Sequence, residues 1–443
     1  MGQLRDHMRT KTMLLAAGLV SVAPGCDPDQ QDEDAITSIG SITATGGADD
    51  GADGTAGTAG GGDAGSGGNA DTAGVDADDD GGVATGVDLK WDVGWGGSGD
   101  GGPGNGCESL PSEDADGDGY TGLQGDCNDC DANVNPGAIE VVITEPDEMG
   151  VVPDPADEDC DGGVDNVALP CDGAWAINDT DPTHAAGAMG LCKQAADATD
   201  WGIVSAQYVR ANGGAGAPGL QSGLLFDFGP NVQPREGSQS LVLSTGNARI
   251  PGQPNACGNL TCNGSGAGTA PAGFPQDVPM CPGLSNINDD VALELTLRAP
   301  TNATGYSYNF TFYSFEYPEW VCTSYNDQYI ALVNPPPPGA INGNISFDAG
   351  SNPVSVNIAF FDVCAGCALG TGELAGTGFD VWNDAGATSW LETTAPVTGG
   401  EEFTIRFAIW DTGDSAYDST VVIDNFQWIA DGGSVSVGTQ PEG

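Results

Sequence analysis

Asp114, Asp116 and Asp118 stand at alternate positions in the stretch DADGDGYTGLQGD, and Gly119 follows them directly. Carboxylates at positions one, three and five of a loop, a glycine at six for the sharp turn and a backbone carbonyl at seven, here that of Tyr120, wrap a hard divalent cation in oxygen. The chemistry these residues offer is calcium binding. The closing half is not that of a helix-loop-helix site, because position twelve is Gly125, the first acid after it is Asp126, and no amphipathic helix pattern flanks the loop. The loop must be closed by groups from elsewhere.

The elements around it are unusual. From Cys107 to about Ala168 the chain carries 18 acidic residues and no Lys or Arg, with little alternation and no helical spacing. Such a segment cannot fold by apolar burial, and its carboxylates repel one another unless cations intervene. Copper prefers imidazole, thiolate or thioether ligands. This segment has no His and its cysteines should be oxidised, so all-oxygen ligation favours calcium over copper. Extracellular modules bind calcium at about 0.1–1 mM, where the ion is a constitutive staple of the fold rather than a signal.

The whole chain has 443 residues and 64 acidic against 10 basic side chains, a formal net charge of -54. That balance makes nucleic acids and anionic lipid surfaces poor partners. Arg5, Arg9 and Lys11 precede the apolar run MLLAAGLVSVAPG, which has the charged and hydrophobic regions of an export signal and is too short to persist as a membrane span. Residues 1–25 read as a removed leader. The run ends at Cys26 behind Ala23, Pro24 and Gly25, which resembles the lipobox of bacterial lipoproteins and implies acylation of Cys26; secretion without a lipid is the alternative. Setting Cys26 aside leaves 12 of 13 cysteines, an even number that an oxidising compartment can pair completely. Proximity makes Cys257 with Cys262 and Cys364 with Cys367 candidate small loops, and Cys127 with Cys160 a candidate staple of the acidic segment. No later stretch is apolar enough for a membrane helix.

Between Cys26 and Gly106 lies low-complexity Gly, Ala, Asp and Thr with 17 acidic residues and one base, Lys90. It reads as a disordered tether with a reach of about 50 Å by flexible-linker scaling, extended further by self-repulsion. Trp91 and Trp95 in LKWDVGW read as stray aromatics near its end, with a docking motif as the alternative. From about Leu169 to residue 430 the texture changes to short alternating runs between Gly, Pro and Asn: WGIVSAQYV, GLLFDFG, QSLVLSTG, VALELTLRA, YSYNFTFYSFEY, QYIALV, VSVNIAFF, EFTIRFAIWD and STVVIDNFQWI. Tyr306, Tyr308, Phe310 and Phe312 fall on one face and Ser307, Asn309 and Thr311 on the other, the period of a half-buried strand. Phe403, Ile405, Phe407 and Ile409 repeat it. Many short strands and almost no helical periodicity predict an all-β fold, an antiparallel sandwich or jelly roll. A polar tail follows from Asp431.

Two further resemblances rest on motifs. DADGDGY, GDCND, NPGAIE and DEDCDGGVDN, in that order, resemble the MopE-type metal-binding repeat of exported bacterial proteins, itself similar to thrombospondin type 3 calcium repeats. The resemblance implies Asp114, Asp116, Asp118 and Asp126 as ligands, with Asp129, Asp131, Asp159, Asp161 and Asp165 as a second acidic tier. It departs at Val141 and Val142, where the family has a cysteine, and in the insertion VITEPDEMGVVPDPA; Cys130 then pairs elsewhere, with Cys107 as a candidate. The family has been associated with copper, which the donor set disfavours here. DFGPNVQPREGSQSLVLSTGNAR, FTFYSFEYPEWVCTSYNDQYIALV and STVVIDNF resemble the choice-of-anchor L domain, whose members are attached to cell surfaces by different devices. Phe315 followed by Glu316 stands where that family has an acidic pair.

Glu316, Glu319, Asn326 and Asp327 form a polar cluster that either holds a second calcium, contacts a carbohydrate at the mouth of the sandwich, or fixes a turn through backbone donors. Catalysis has little to stand on: beyond the leader the only histidine is His184, expected in an exposed loop, and the CAGC at Cys364 lies among strands and reads as a disulfide rather than a redox pair. A glycosidase needs two suitably spaced carboxylates, and nothing marks such a pair. The sequence therefore predicts an exported, lipid-anchored cell-surface protein acting as a calcium-stabilised binding or adhesion module toward an extracellular polysaccharide or protein. A carbohydrate-active enzyme and a purely structural envelope protein are the alternatives.

Overall fold

Alternating apolar residues bury one face of a strand, and two such faces pressed together exclude water from both. The computed structural model describes residues 109–443 apart from 145, 147–149, 151, 153, 154, 168–170, 172, 263, 359, 382–384, 431 and 443, all within the unit Gly97–Gly443. The leader, Cys26, the tether with Trp91 and Trp95, and Cys107 lie outside the described residues.

The alternating runs become β1 (Gly202–Val209), β2 (Ser222–Leu225), β3 (Ser240–Ser244), β4 (Ile287–Arg298), β5 (Gly305–Ser314), β6 (Gln328–Asn334), β7 (Val354–Ser355), β8 (Phe361–Cys364), β9 (Gly386–Thr388), β10 (Leu391–Pro396), β11 (Glu402–Thr412), β12 (Ser419–Ile429) and β13 (Gly438–Pro441). They form two antiparallel sheets, one in the order β1-β4-β11-β6-β7 and the other β13-β10-β5-β12-β3-β2, with β9 also paired to β5 and β8 to β9. Leu293, Leu295 and Leu297 of β4 and Phe403, Ile405, Phe407 and Ile409 of β11 meet Tyr306, Tyr308, Phe310 and Phe312 of β5 and Val421 and Ile423 of β12 in one buried cluster. Tyr306 stacks on Phe403 at 5.2 Å between ring centres, and Phe407 meets Tyr308 edge-on at 5.1 Å. Each such side chain contributes roughly 1.5–3 kcal/mol by burial, so this interface carries the fold.

The structure departs from the strand reading in four places. β5 is buried on both faces, not half-buried. A second cluster with Phe228, Tyr313, Phe315, Phe379 and Trp390 covers the outer side of its sheet, and the polar residues there find partners, Thr311 Oγ1 donating to the Thr388 carbonyl at 2.8 Å and Asn425 donating to Asn309 at 2.6 Å. VSVNIAFF is interrupted after the two-residue β7 and resumes only at Phe361, where β8 begins, because Asn326 Oδ1 accepts from the Asn357 amide at 3.2 Å and the Ile358 amide turns back to the Ser355 carbonyl at 3.0 Å. His184 is on a helix rather than in a loop. Asp181 caps α1 (Pro182–Gly187) by accepting from the Thr183 amide, Pro182 opens its first turn, and the half-buried His184 stacks on Trp175 at 5.1 Å with Nδ1 2.9 Å from Asp179. The residues expected as a polar tail include β13, which pairs with β10, and Thr439 and Thr393 share a hydroxyl bond at 2.8 Å.

Among the described residues, bridges join Cys127 to Cys160, Cys171 to Cys192, Cys257 to Cys262, Cys281 to Cys322 and Cys364 to Cys367. Cys130 is also disulfide-bonded.

The acidic segment has almost no regular structure of its own and docks on the turn between β4 and β5. The Thr301 amide donates to the Gly137 carbonyl at 2.9 Å and its hydroxyl to Asn135 Oδ1 at 2.8 Å. Asn302 reads both backbone groups of Ile139, its Nδ2 donating to the carbonyl at 2.8 Å and its Oδ1 accepting from the amide at 3.1 Å. Tyr120 Oη donates to the Thr199 carbonyl at 3.3 Å. Asn135 and Ala138 are fully buried in this contact. Gly137 is there because nothing larger fits: a Cβ would lie 2.6 Å from Tyr120 Oη and 2.8 Å from Thr301 Cγ2. Gly137→Ala should therefore force the segment off the turn at a cost of about 1–3 kcal/mol, lowering the melting temperature in calcium by several degrees; unchanged melting would mean that the contact does not support the fold.

Candidate metal centre

The loop turns at Gly119, whose φ of +100° suits glycine. Its carboxylates are held by the chain's own amides. Asp114 accepts from the amides of Gly117 at 2.7 Å and Gly119 at 3.1 Å, Asp116 from Asp118 at 3.2 Å, and Asp118 from Tyr120 at 2.7 Å. A single 3-10 turn at Gly122–Gln124 folds the spacer back, and the Asp126 amide reaches the Thr121 carbonyl at 3.3 Å. This brings the buried Asp126 and Asp129 to the loop, where Asp126 accepts from the Asn128 amide at 2.8 Å and Asp129 from the Ala115 amide at 3.0 Å. The loop is thus closed by Asp126 and Asp129.

The result is two overlapping acid triplets, Asp114, Asp116 and Asp129, and Asp116, Asp118 and Asp126, in each of which one oxygen per residue lies within 4.8 Å of the others. Asp116, Asp118 and Asp126 each hold one oxygen on an amide and turn the other into the cluster, enclosed and without a hydrogen-bond donor. Convergent, donor-free carboxylate oxygens with no imidazole or thiolate fit a hard cation such as calcium. Burial raises the carboxyl pKa values of Asp118 and Asp126, and the adjacent charges, Asp116 for both, raise them further. A bound cation would reverse that cost.

A second cluster takes in Asp159 and Asp165 of the expected second tier and adds Glu140, Asp157 and Glu158, which the sequence reading did not name. Glu140 lies within 4.8 Å of Glu158 and Asp165 and, in another triplet, of Asp157 and Asp159. Glu140 Oε1 accepts from the Asp159 amide at 3.4 Å and Glu158 from the Val141 amide at 3.2 Å, while Glu140 Oε2 and Asp157 Oδ1 are enclosed without donors. Burial, then the charges of Asp159 and Glu158, push Glu140 up. The signal was present, since Glu140 ends the NPGAIE motif and Asp157 and Glu158 stand next to the closing cysteine. The Cys127–Cys160 bridge ties the two clusters together from inside both.

Not every residue expected in the metal site converges. Asp131 is exposed and accepts from the Asn133 amide at 3.1 Å, and Asp161 is bonded to Asn166 and the Gly163 amide; neither joins a cluster. Tyr120, expected to contribute its backbone carbonyl, stays in the loop, while its side-chain hydroxyl reaches the Thr199 carbonyl.

The polar cluster in the sandwich is also divided. Glu319 is exposed, whereas Glu316, Asn326 and Asp327 are buried and have no surface to offer a carbohydrate. Glu316 Oε2 accepts from the Asp327 amide at 3.3 Å, and Asp327 Oδ1 from the Thr412 amide at 3.0 Å. Burial raises both carboxyl pKa values, and the charge of Asp327 raises that of Glu316 further.

Residues 216–427 match the Choice-of-anchor L domain family. The match covers most of the sandwich and none of the acidic segment. A domain of this family implies a cell-surface or exported protein, and the family is not a known family of enzymes. No curated protein matches the chain. Among the described residues no helix is long and apolar enough to cross a membrane.

The raised carboxyls fix a pH dependence. A carboxyl whose folded pKa exceeds its unfolded value contributes stability that is complete below the unfolded value and is lost as pH rises through the folded one. Asp118, Asp126, Glu140, Glu316 and Asp327 all act in that direction. With divalent ions chelated, thermal scans should show a higher melting temperature at pH 5 than at pH 8, and calcium should raise it more at pH 8. Equal melting at the two pH values in chelator would mean that the carboxylates are solvated and uncrowded.

Proposed function

We propose that this chain is an exported lipoprotein of the cell surface, held by a lipid at Cys26, whose sandwich is a binding or adhesion module standing on a calcium-stapled stem. The observation that carries the reading is the docking of the acidic loops on the β4–β5 turn with their donor-free oxygens turned inward. An ion that gathers these oxygens also fixes Asn135, Gly137 and Ile139 against Thr301 and Asn302, so calcium makes a rigid joint between tether and sandwich. The ligands would be Asp114, Asp116, Asp118, Asp126 and Asp129 in one group and Glu140, Asp157, Glu158, Asp159 and Asp165 in the other. The partner is an extracellular polysaccharide or protein.

The enzymatic alternative fares worse on one observation. A cleft of about 480 Å³ is lined by Pro335, Pro336, Pro337, Pro338, Tyr306 and Phe403, and Glu401 is its one carboxylate. A glycosidase needs two flanking the bond.

Adding millimolar calcium to chelated protein should raise its melting temperature substantially, since an ion that binds only the folded state stabilises it by mass action. The pair Asp116→Ala and Asp118→Ala should remove most of that shift, read by thermal unfolding and calcium titration. Unaltered affinity and melting in the double variant would make the ligand assignment wrong.

A further inference from the structure

Arg249 stands apart from the other basic side chains. Among the described residues Lys193 pairs with Asp200, Arg210 with Asp290, Arg235 with Glu442, Arg298 with Glu402 and Arg406 with Glu294. Arg249 is 5% exposed and forms no such pair. Its Nη1 donates to the carbonyls of Ser222 at 2.8 Å and Ala248 at 2.6 Å, while Nε and Nη2 are enclosed without an acceptor. Burial lowers its pKa, and no neighbouring charge offsets that loss. A guanidinium stays protonated even so. The chain therefore encloses a positive charge whose Nε and Nη2 edge, a face that elsewhere grips anions through parallel N–H bonds, is unused.

The same side chain lines a cavity of about 30 Å³, whose wall also includes Phe228, Phe315, Phe379 and Asp418. That is about the space one water takes in the liquid, so an occupant is monatomic or nearly so. Other polar side chains of the wall are spent elsewhere. Ser244 donates to the Ser419 carbonyl at 3.2 Å, Thr420 to Ser244 at 2.9 Å, Thr377 to the Leu374 carbonyl at 2.6 Å and the Asn247 amide to the Asn255 carbonyl at 2.9 Å.

Asp418 is the second group left open. Its Oδ2 accepts from the Cys262 amide at 2.9 Å, and its Oδ1 is enclosed without a partner. Burial, then the charges of Asp327 and Asp289, push its pKa up to about 8. Near neutral pH it is uncharged, and the proton belongs on Oδ1, the oxygen that no amide serves. Both open groups of the wall are then donors. A water could accept from them and would leave the Arg249 charge buried and uncompensated, which is costly in a protein interior. An anion of the same size accepts from them and cancels the charge. The size selects a halide over a carboxylate or phosphate.

We propose that Arg249 and Asp418 hold a chloride ion in this cavity. The wall is drawn from the end of β3 and the loop after it, from Phe315 after β5, from the turn at 377–379 and from the start of β12. The ion pins these four segments together from inside. This inference is independent of calcium in the acidic loops.

Thermal unfolding of the exported chain in EDTA, in sodium chloride against sodium gluconate at equal ionic strength, reads the site, because gluconate is too large for the cavity. Chloride should raise the melting temperature of the wild type by several degrees more than that of Arg249→Gln, and bromide should act as chloride does. If Arg249→Gln is not recovered folded, a bromide-soaked crystal of the wild type takes its place. An anomalous peak within hydrogen-bonding reach of Arg249 Nε and Nη2 supports the site. Equal responses to chloride in the wild type and folded Arg249→Gln, or a cavity without an anomalous peak, overturn it and leave water there.

Discussion

Repulsion among carboxylates without basic partners is the constraint on which the acidic segment depends. Residues 107–168 contain no Lys or Arg, and Asp116 belongs to both acid triplets of the first loop. Unscreened, like charges this close cost several kcal/mol even at an effective dielectric near that of a protein surface. Backbone amides offset part of the cost by taking one oxygen of each acid. They leave the second oxygens facing inward, which is why geometry and composition both lead to a cation. The Cys127–Cys160 bridge limits how far the two clusters can spring apart.

The sandwich obeys the opposite rule, since its stability comes from aromatic and aliphatic burial between two sheets. The two regimes meet at Thr301 and Asn302, where a turn of the sandwich bonds the backbone of an acidic segment that has no core of its own. β5 runs from this joint to the buried acids at the other end, about 30 Å at the usual rise per residue. On the reading proposed above, a cation then fastens the acidic segment to one end of an apolar body.

Much of this was legible in the chain. Period-two alternation located nine of the strands because an apolar face must be buried, and the Asp114, Asp116, Asp118 spacing located the first loop because ligands must converge on one point. Other elements depended on distant partners. β5 looked half-buried because nothing local reveals that Phe228, Phe379 and Trp390 cover its outer face. β9 and β10 lack a long apolar run and are strands by virtue of pairing with β5. Glu140 joins Glu158 only through a fold closed by a disulfide and an insertion. Asp411 stands near the end of an apolar strand, and only the topology encloses it. His184 became helical through the cap of Asp181 and Pro182, a signal that was present in DPTHAAG.

The central claim is that calcium couples the acidic loops to the sandwich, and hydrogen exchange read by mass spectrometry with and without calcium tests it most directly. The account predicts that calcium slows exchange together at the loop amides of Gly117, Asp118 and Gly119 and at the joint amides of Ile139 and Thr301. Slowing confined to the loop, or absent from both, would contradict it.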